Sequence, residues 1–97
     1  MAPKGRLVLD DGAVKAVKND GKSLLPIGIS KCEGKFEKGE LVSLVTSHNQ
    51  EFARGLINYD AATMSAIRGL RTEEVQQTLG AVPYAEVIHR DNLCVFR

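Results

Sequence analysis

Apolar residues along this chain come in short clusters separated by glycine, proline, asparagine and acidic residues, not in the long 3.6-residue stripes of a helical bundle. Leu7, Val8 and Leu9 predict a short strand, closed by Asp10-Asp11-Gly12, whose carboxylates can cap a following helix. Ala13, Val14, Ala16 and Val17 then give one apolar helical face over 12–19, with Lys15 and Lys18 turned to water and Gly21 as a left-handed C-cap. The run 22–29 reads as an apolar strand with a defect, because Pro26 has no N–H and Gly28 permits close backbone approach. Residues 33–39 are charged and punctuated by glycine, which predicts a loop anchored in the core by Phe36.

A second β block follows. The stretches 41–45 and 52–59 flank polar 46–51, the pattern of an antiparallel hairpin with a longer loop. Asp60 is placed to cap a helix carrying Met64 and Ile67 and stopped by Gly69. Thr72 is placed to cap another, carrying Val75 and Leu79 and stopped by Gly80. Finally 86–88 and 93–96 read as two strand halves joined through the polar turn His89-Arg90-Asp91-Asn92. Together these predict a mixed α/β domain, mainly β, with a small barrel-like sheet and short peripheral helices.

Length and composition narrow the function classes. At 97 residues the chain suits one core, since two independent cores would each bury too little surface. Thirteen Lys and Arg against twelve Asp and Glu leave a net charge of +1, so attraction to phosphate or anionic lipid has to be local. Cys32 and Cys94 are too few and too far apart for a secreted disulfide framework, and they read as small buried hydrophobes in a reducing, cytoplasmic setting. No apolar run approaches the roughly eighteen residues of a membrane span, so no membrane partner is expected.

Four catalytic or metal-site readings can be set aside. Gly21-Lys22-Ser23 ends like a phosphate-cradling loop, but Ala16 stands where the first glycine belongs, and the order of elements is helix, loop, strand. His89-Arg90-Asp91 resembles a kinase catalytic loop, yet Phe96 stands where a magnesium-binding asparagine is required. The four residues 89–92 are better suited to satisfying backbone groups across a turn. Cys32, Cys94, His48 and His89 contain no closely spaced ligand pair, so no metal site is expected. No Ser, Cys or Thr lies in a recognisable nucleophile elbow. What remains is a candidate phosphate-contacting patch of Lys15, Lys18, Lys22, Ser23 and Arg90, weighed against a merely solvated face.

In order, the segments 21–29 (Gly-Lys-Ser-Leu-Leu-Pro-Ile-Gly-Ile), 53–59 (Ala-Arg-Gly-Leu-Ile-Asn-Tyr) and 86–93 (Glu-Val-Ile-His-Arg-Asp-Asn-Leu) resemble the signature segments of PUA domains. They look like those of the C-terminal PUA domain of bacterial glutamate 5-kinases; the first is general to PUA domains and the last is more particular. The resemblance runs from Gly5 onward and implies a PUA-like pseudo-barrel of five to six short strands with two to three short peripheral helices. It implies residues 1–4 as a flexible N-terminal linker and 5–97 as the domain. It also implies a fragment that is not itself an enzyme and takes no cofactor. The parent would be a cytoplasmic kinase that phosphorylates L-glutamate, using ATP and magnesium, in the first step of proline biosynthesis. Partners would be the N-terminal amino-acid-kinase domain and, through the parent enzyme, a homo-oligomer. Elsewhere PUA domains bind RNA through the first helix, the following loop and strand, and the last strand. Here those elements hold Lys15, Lys18, Gly21, Lys22, Ser23 and Arg90, the alternative RNA-binding reading. A docking role would instead show itself as exposed apolar residues.

Overall fold

A computed structural model describes residues 2–96; the ends of the expected linker and domain, Met1 and Arg97, lie outside the described residues. Strand β1 (Gly5–Leu9) leads into helix α1 (Asp11–Lys18), and a 3-10 turn at Pro26–Gly28 opens strand β2 (Ile29–Gly34). The hairpin is β3 (Leu41–Val45) with β4 (Glu51–Leu56). Helices α2 (Ala61–Ile67) and α3 (Thr72–Leu79) follow, and a 3-10 turn at Arg90–Asn92 precedes β5 (Leu93–Val95). The five strands form one sheet in the order β2-β1-β3-β4-β5, parallel only between β1 and β3. This is the mixed, mainly β architecture with short helices that the hydrophobic pattern predicts.

The core follows from the period-two alternation of the strands. Leu7 and Leu9 of β1, Val42 and Leu44 of β3, and Ala53 of β4 are wholly buried, joined by Met64 and Ile67 from α2 and Val75 from α3. Phe36 is buried as the predicted loop anchor, and Tyr59 is buried in the same cluster. The opposite sheet face is polar. Glu33, Arg6, Ser43, Arg54 and Cys94 stand in register across all five strands.

Several local expectations are corrected. Residues 22–29 are not a strand: Pro26 starts the 3-10 turn, where its missing N–H costs nothing, and only the Leu24–Ile88 bridge is sheet-like. The strand instead begins at Ile29 and extends to Gly34, into the stretch read as loop. Residues 86–88 are a spacer, not a ladder strand. Val87 donates its N–H to the Leu24 carbonyl at 2.8 Å and accepts from the Asn58 N–H at 2.8 Å. Helix α3 begins one residue early, with Arg71 in the cap position and its N–H donated to the Glu74 carboxylate at 2.9 Å. Contrary to the expectation of buried cysteines, Cys94 is exposed on the polar sheet face, in register with Arg54, and Cys32, opposite buried Leu7 on an edge strand, is only half-buried.

Candidate functional site

The chain after β1 is shaped by two local devices. The Asp10 carboxylate accepts from the Ala13 N–H at 2.8 Å and starts α1. At its end, Gly21 takes φ +63°, which returns the Lys22 N–H to the Ala16 carbonyl at 3.0 Å. The reversal lays Ser23 and Leu24 beside the distant segment 86–90. There the Ser23 hydroxyl accepts from the Arg90 N–H at 2.8 Å, and Leu24 donates to the Ile88 carbonyl at 3.0 Å. His89 Nδ1 accepts from the Asp91 N–H at 3.1 Å, so this histidine caps the turn, as its place among turn residues predicts.

Of the predicted patch, Gly21, Lys22, Ser23 and Arg90 are therefore brought together. Gly21, Lys22 and Arg90 line a cavity of about 230 Å³ with Val17, Leu93 and Val95, and Ser23 joins them through its bond to Arg90. Lys15 is not part of it: its ammonium donates to Asp20 Oδ2 at 3.2 Å on the exposed side of the helix. Lys18 is exposed in the last turn of α1 and lines neither cavity here.

On the other side of Lys22 lies a larger groove of about 620 Å³ that the sequence reading missed. Its floor is Gly12, Ala13, Ala16 and Val17 of α1; its wall is Leu24, Leu25, Ile27 and Gly28; Asp10, Lys22 and Ser23 supply its polar atoms. Gly28 lies so close to the helix that a Cβ there would stand 2.4 Å from the Ala13 Cβ. Leu25 and Ile27 are 48% and 49% exposed, between buried Leu24, Pro26 and Gly28. The signal was present in the sequence as an apolar pair on the outward phase of 24–28, but a strand reading gave those positions to a sheet.

The polar sheet face carries paired charges. Arg6 bonds Glu33 at 2.9 Å, and Arg54 bonds Glu51 at 2.9 Å, with the Ser43 hydroxyl donating to the same carboxylate. Arg54 first, and Ser43 second, hold the Glu51 carboxyl below its ordinary value. Burial pushes the half-buried Cys32 thiol up. Among the described residues no group of three or more His, Cys, Asp or Glu is arranged to hold a metal ion. Nor is any described helix long and apolar enough to cross a membrane.

Comparison with known proteins agrees with this architecture. The chain is 50% identical over 91 residues to a glutamate 5-kinase of Dictyoglomus turgidum, covering 94% of this chain and 24% of the relative. It is 48% identical over 93 residues to a glutamate 5-kinase of Saccharophagus degradans, covering 96% and 25%. It thus spans about a quarter of the length of the curated relatives it matches. Among solved structures, a PUA domain from Aeropyrum pernix in a tartrate complex superposes with a TM-score of 0.66 at 19% identity, covering 90% of this chain and 41% of that one. An H/ACA RNP bound to a substrate RNA superposes with a TM-score of 0.59 at 22% identity, covering 96% and 24%. These two show the shared fold. With residues 5–79 matching the PUA domain family, the chain belongs to that family and is similar over nearly its whole length to part of the glutamate 5-kinases.

Proposed function

We propose that this chain is the non-catalytic accessory and regulatory domain of a cytoplasmic glutamate 5-kinase, which transfers the γ-phosphate of ATP to the side-chain carboxylate of L-glutamate at the start of proline biosynthesis. The observation that carries the reading is identity near one half over almost the whole chain, to enzymes of which it is about a quarter. The buried apolar residues of the chain support it, since they form one continuous core. In this reading ATP, magnesium and glutamate are held by the N-terminal amino-acid-kinase domain, and this domain acts on catalysis through contact with it. The test is to express the complete reading frame and assay glutamate-dependent release of ADP with magnesium present. Activity that persists when residues 5–97 are removed, with altered response to substrate or end product, is the expected outcome; complete absence of glutamate-dependent turnover from the intact protein overturns the reading.

A second reading, binding of structured RNA, is favoured by the convergence of Gly21, Lys22 and Arg90 around one cavity, with Ser23 bonded to Arg90, and by the RNA-bound neighbour of the same fold. It predicts salt-sensitive RNA affinity that is lost when Lys22 and Arg90 are replaced by Glu. Unchanged binding in that variant, or none at low salt in the unaltered chain, removes it.

A further inference from the structure

The groove between α1 and the 24–28 segment has a chemistry that the basic patch does not explain. Among the described residues Lys22 is the sole cation lining it, and the Asp10 carboxylate shares the lining. Lys15, the neighbouring cation on the helix, is already paired with Asp20. Every aromatic residue of the chain is absent from the lining, so nothing there offers a face on which a base could stack. Nucleic acid gains its affinity from several neutralised phosphates, and a site with one cation and one carboxylate has no such excess.

What the groove does offer is apolar surface: an alanine and valine floor flanked by Leu25 and Ile27, each about half exposed. Isolated exposed aliphatic residues are ordinary on a surface, but two of them beside a cleft of about 620 Å³ form a continuous apolar site. The wall of the cleft is also fixed in place. The close fit of Gly28 on Ala13 fixes the wall against the helix, and the Gly69 N–H donates to the Pro26 carbonyl at 2.7 Å, tying the wall to the end of α2.

About three quarters of each curated relative lies outside the region this chain matches. We propose that the groove seats aliphatic or aromatic side chains from that remaining part of the same polypeptide, so that it is the docking surface between this domain and the rest of the enzyme. This rests on the accessory-domain reading above and assigns it a contact surface: Ala13, Ala16, Leu25 and Ile27, with Lys22 and Asp10 pairing to polar groups at the rim.

The test is amide hydrogen exchange on the complete enzyme, on the isolated 97-residue chain, and on complete enzymes carrying Leu25→Ser with Ile27→Ser, or Ala16→Glu alone. The proposal expects amides of residues 12–17, 24, 25, 27 and 28 to exchange about tenfold or more slowly in the complete enzyme than in the isolated chain. Both variants should restore the faster exchange there while leaving β1 and β3 amides protected, which shows that the fold is intact. Equal exchange in the complete enzyme and the isolated chain overturns the docking. So does slowing of these amides in the isolated chain by structured RNA or by self-association, which would assign the groove to a different occupant. Glutamate kinase activity with equal exchange refutes the docking alone; an intact protein without such activity refutes the accessory reading as well.

Discussion

Gly28 shows how one residue can set the shape of a site. Its missing side chain lets the 3-10 turn rest on Ala13, where an added Cβ would approach to 2.4 Å. Gly28→Ala should cost about 1–3 kcal/mol, read as a lower urea midpoint, because neither wall nor helix can move without disturbing buried Ile29 and Val17. Tyr59 plays a comparable part elsewhere. Its hydroxyl donates to the Tyr84 carbonyl at 2.5 Å and accepts from the Tyr84 N–H at 3.0 Å, pinning the loop before residues 86–88. Tyr59→Phe leaves both half-buried backbone groups unpaired and should cost about 1–2 kcal/mol in the same measurement. Glu51 gives a pH signature. Its folded-state pKa lies below the ordinary 4.5, so its contribution to stability is present above that value and is lost as pH falls through the lower folded one. Glu51→Gln should therefore flatten the acid limb of a stability-versus-pH curve without abolishing it. The Asp60 carboxyl, lowered by the Thr63 N–H, keeps its own share of the slope.

At the scale of elements, end signals decide where helices begin. Asp10 caps α1 by bonding Ala13, and Asp10→Ala should lower stability by about 1 kcal/mol, measured as a drop in Tm. The helices were legible because their signals are local: Asp10, Asp60, Gly69 and Gly80 all mark ends where the structure has them. The hairpin was legible for the same reason, although β4 stops at Leu56 rather than continuing to Tyr59. The edges of the sheet were not. Whether 22–29 or 29–34 pairs with β1 depends on a partner 25 or so positions away, and a run of Leu, Ile, Pro and Gly outscores the polar sequence Ile-Ser-Lys-Cys-Glu-Gly when hydrophobicity alone is weighed. An edge strand tolerates that polarity because one side of it faces water. The same misassignment hid the groove, since a residue given to a sheet is not sought on a surface. The basic patch was half legible: loop and turn bring Gly21, Lys22, Ser23 and Arg90 together, while ion pairing, which sequence does not display, turns Lys15 toward Asp20.

For the molecule as a whole, the division of labour follows from size. One core drawn from all five strands, the three helices and the 86–88 spacer leaves the chain's chemistry on its outside, as a polar sheet face, a basic rim and an apolar groove. In the accessory-domain reading these surfaces serve contact with partners, and the phosphate cradle, metal and positioned nucleophile that phosphoryl transfer requires lie in the remaining part of the enzyme. The account therefore turns on whether this chain by itself can carry out any part of the kinase reaction. The direct measurement is production of γ-glutamyl phosphate by the purified 97-residue chain, supplied with ATP, magnesium and glutamate and compared with the complete enzyme at equal molar concentration. The prediction is turnover by the complete enzyme and a rate indistinguishable from the protein-free blank for the chain alone. Glutamate-dependent turnover by the isolated chain would contradict it.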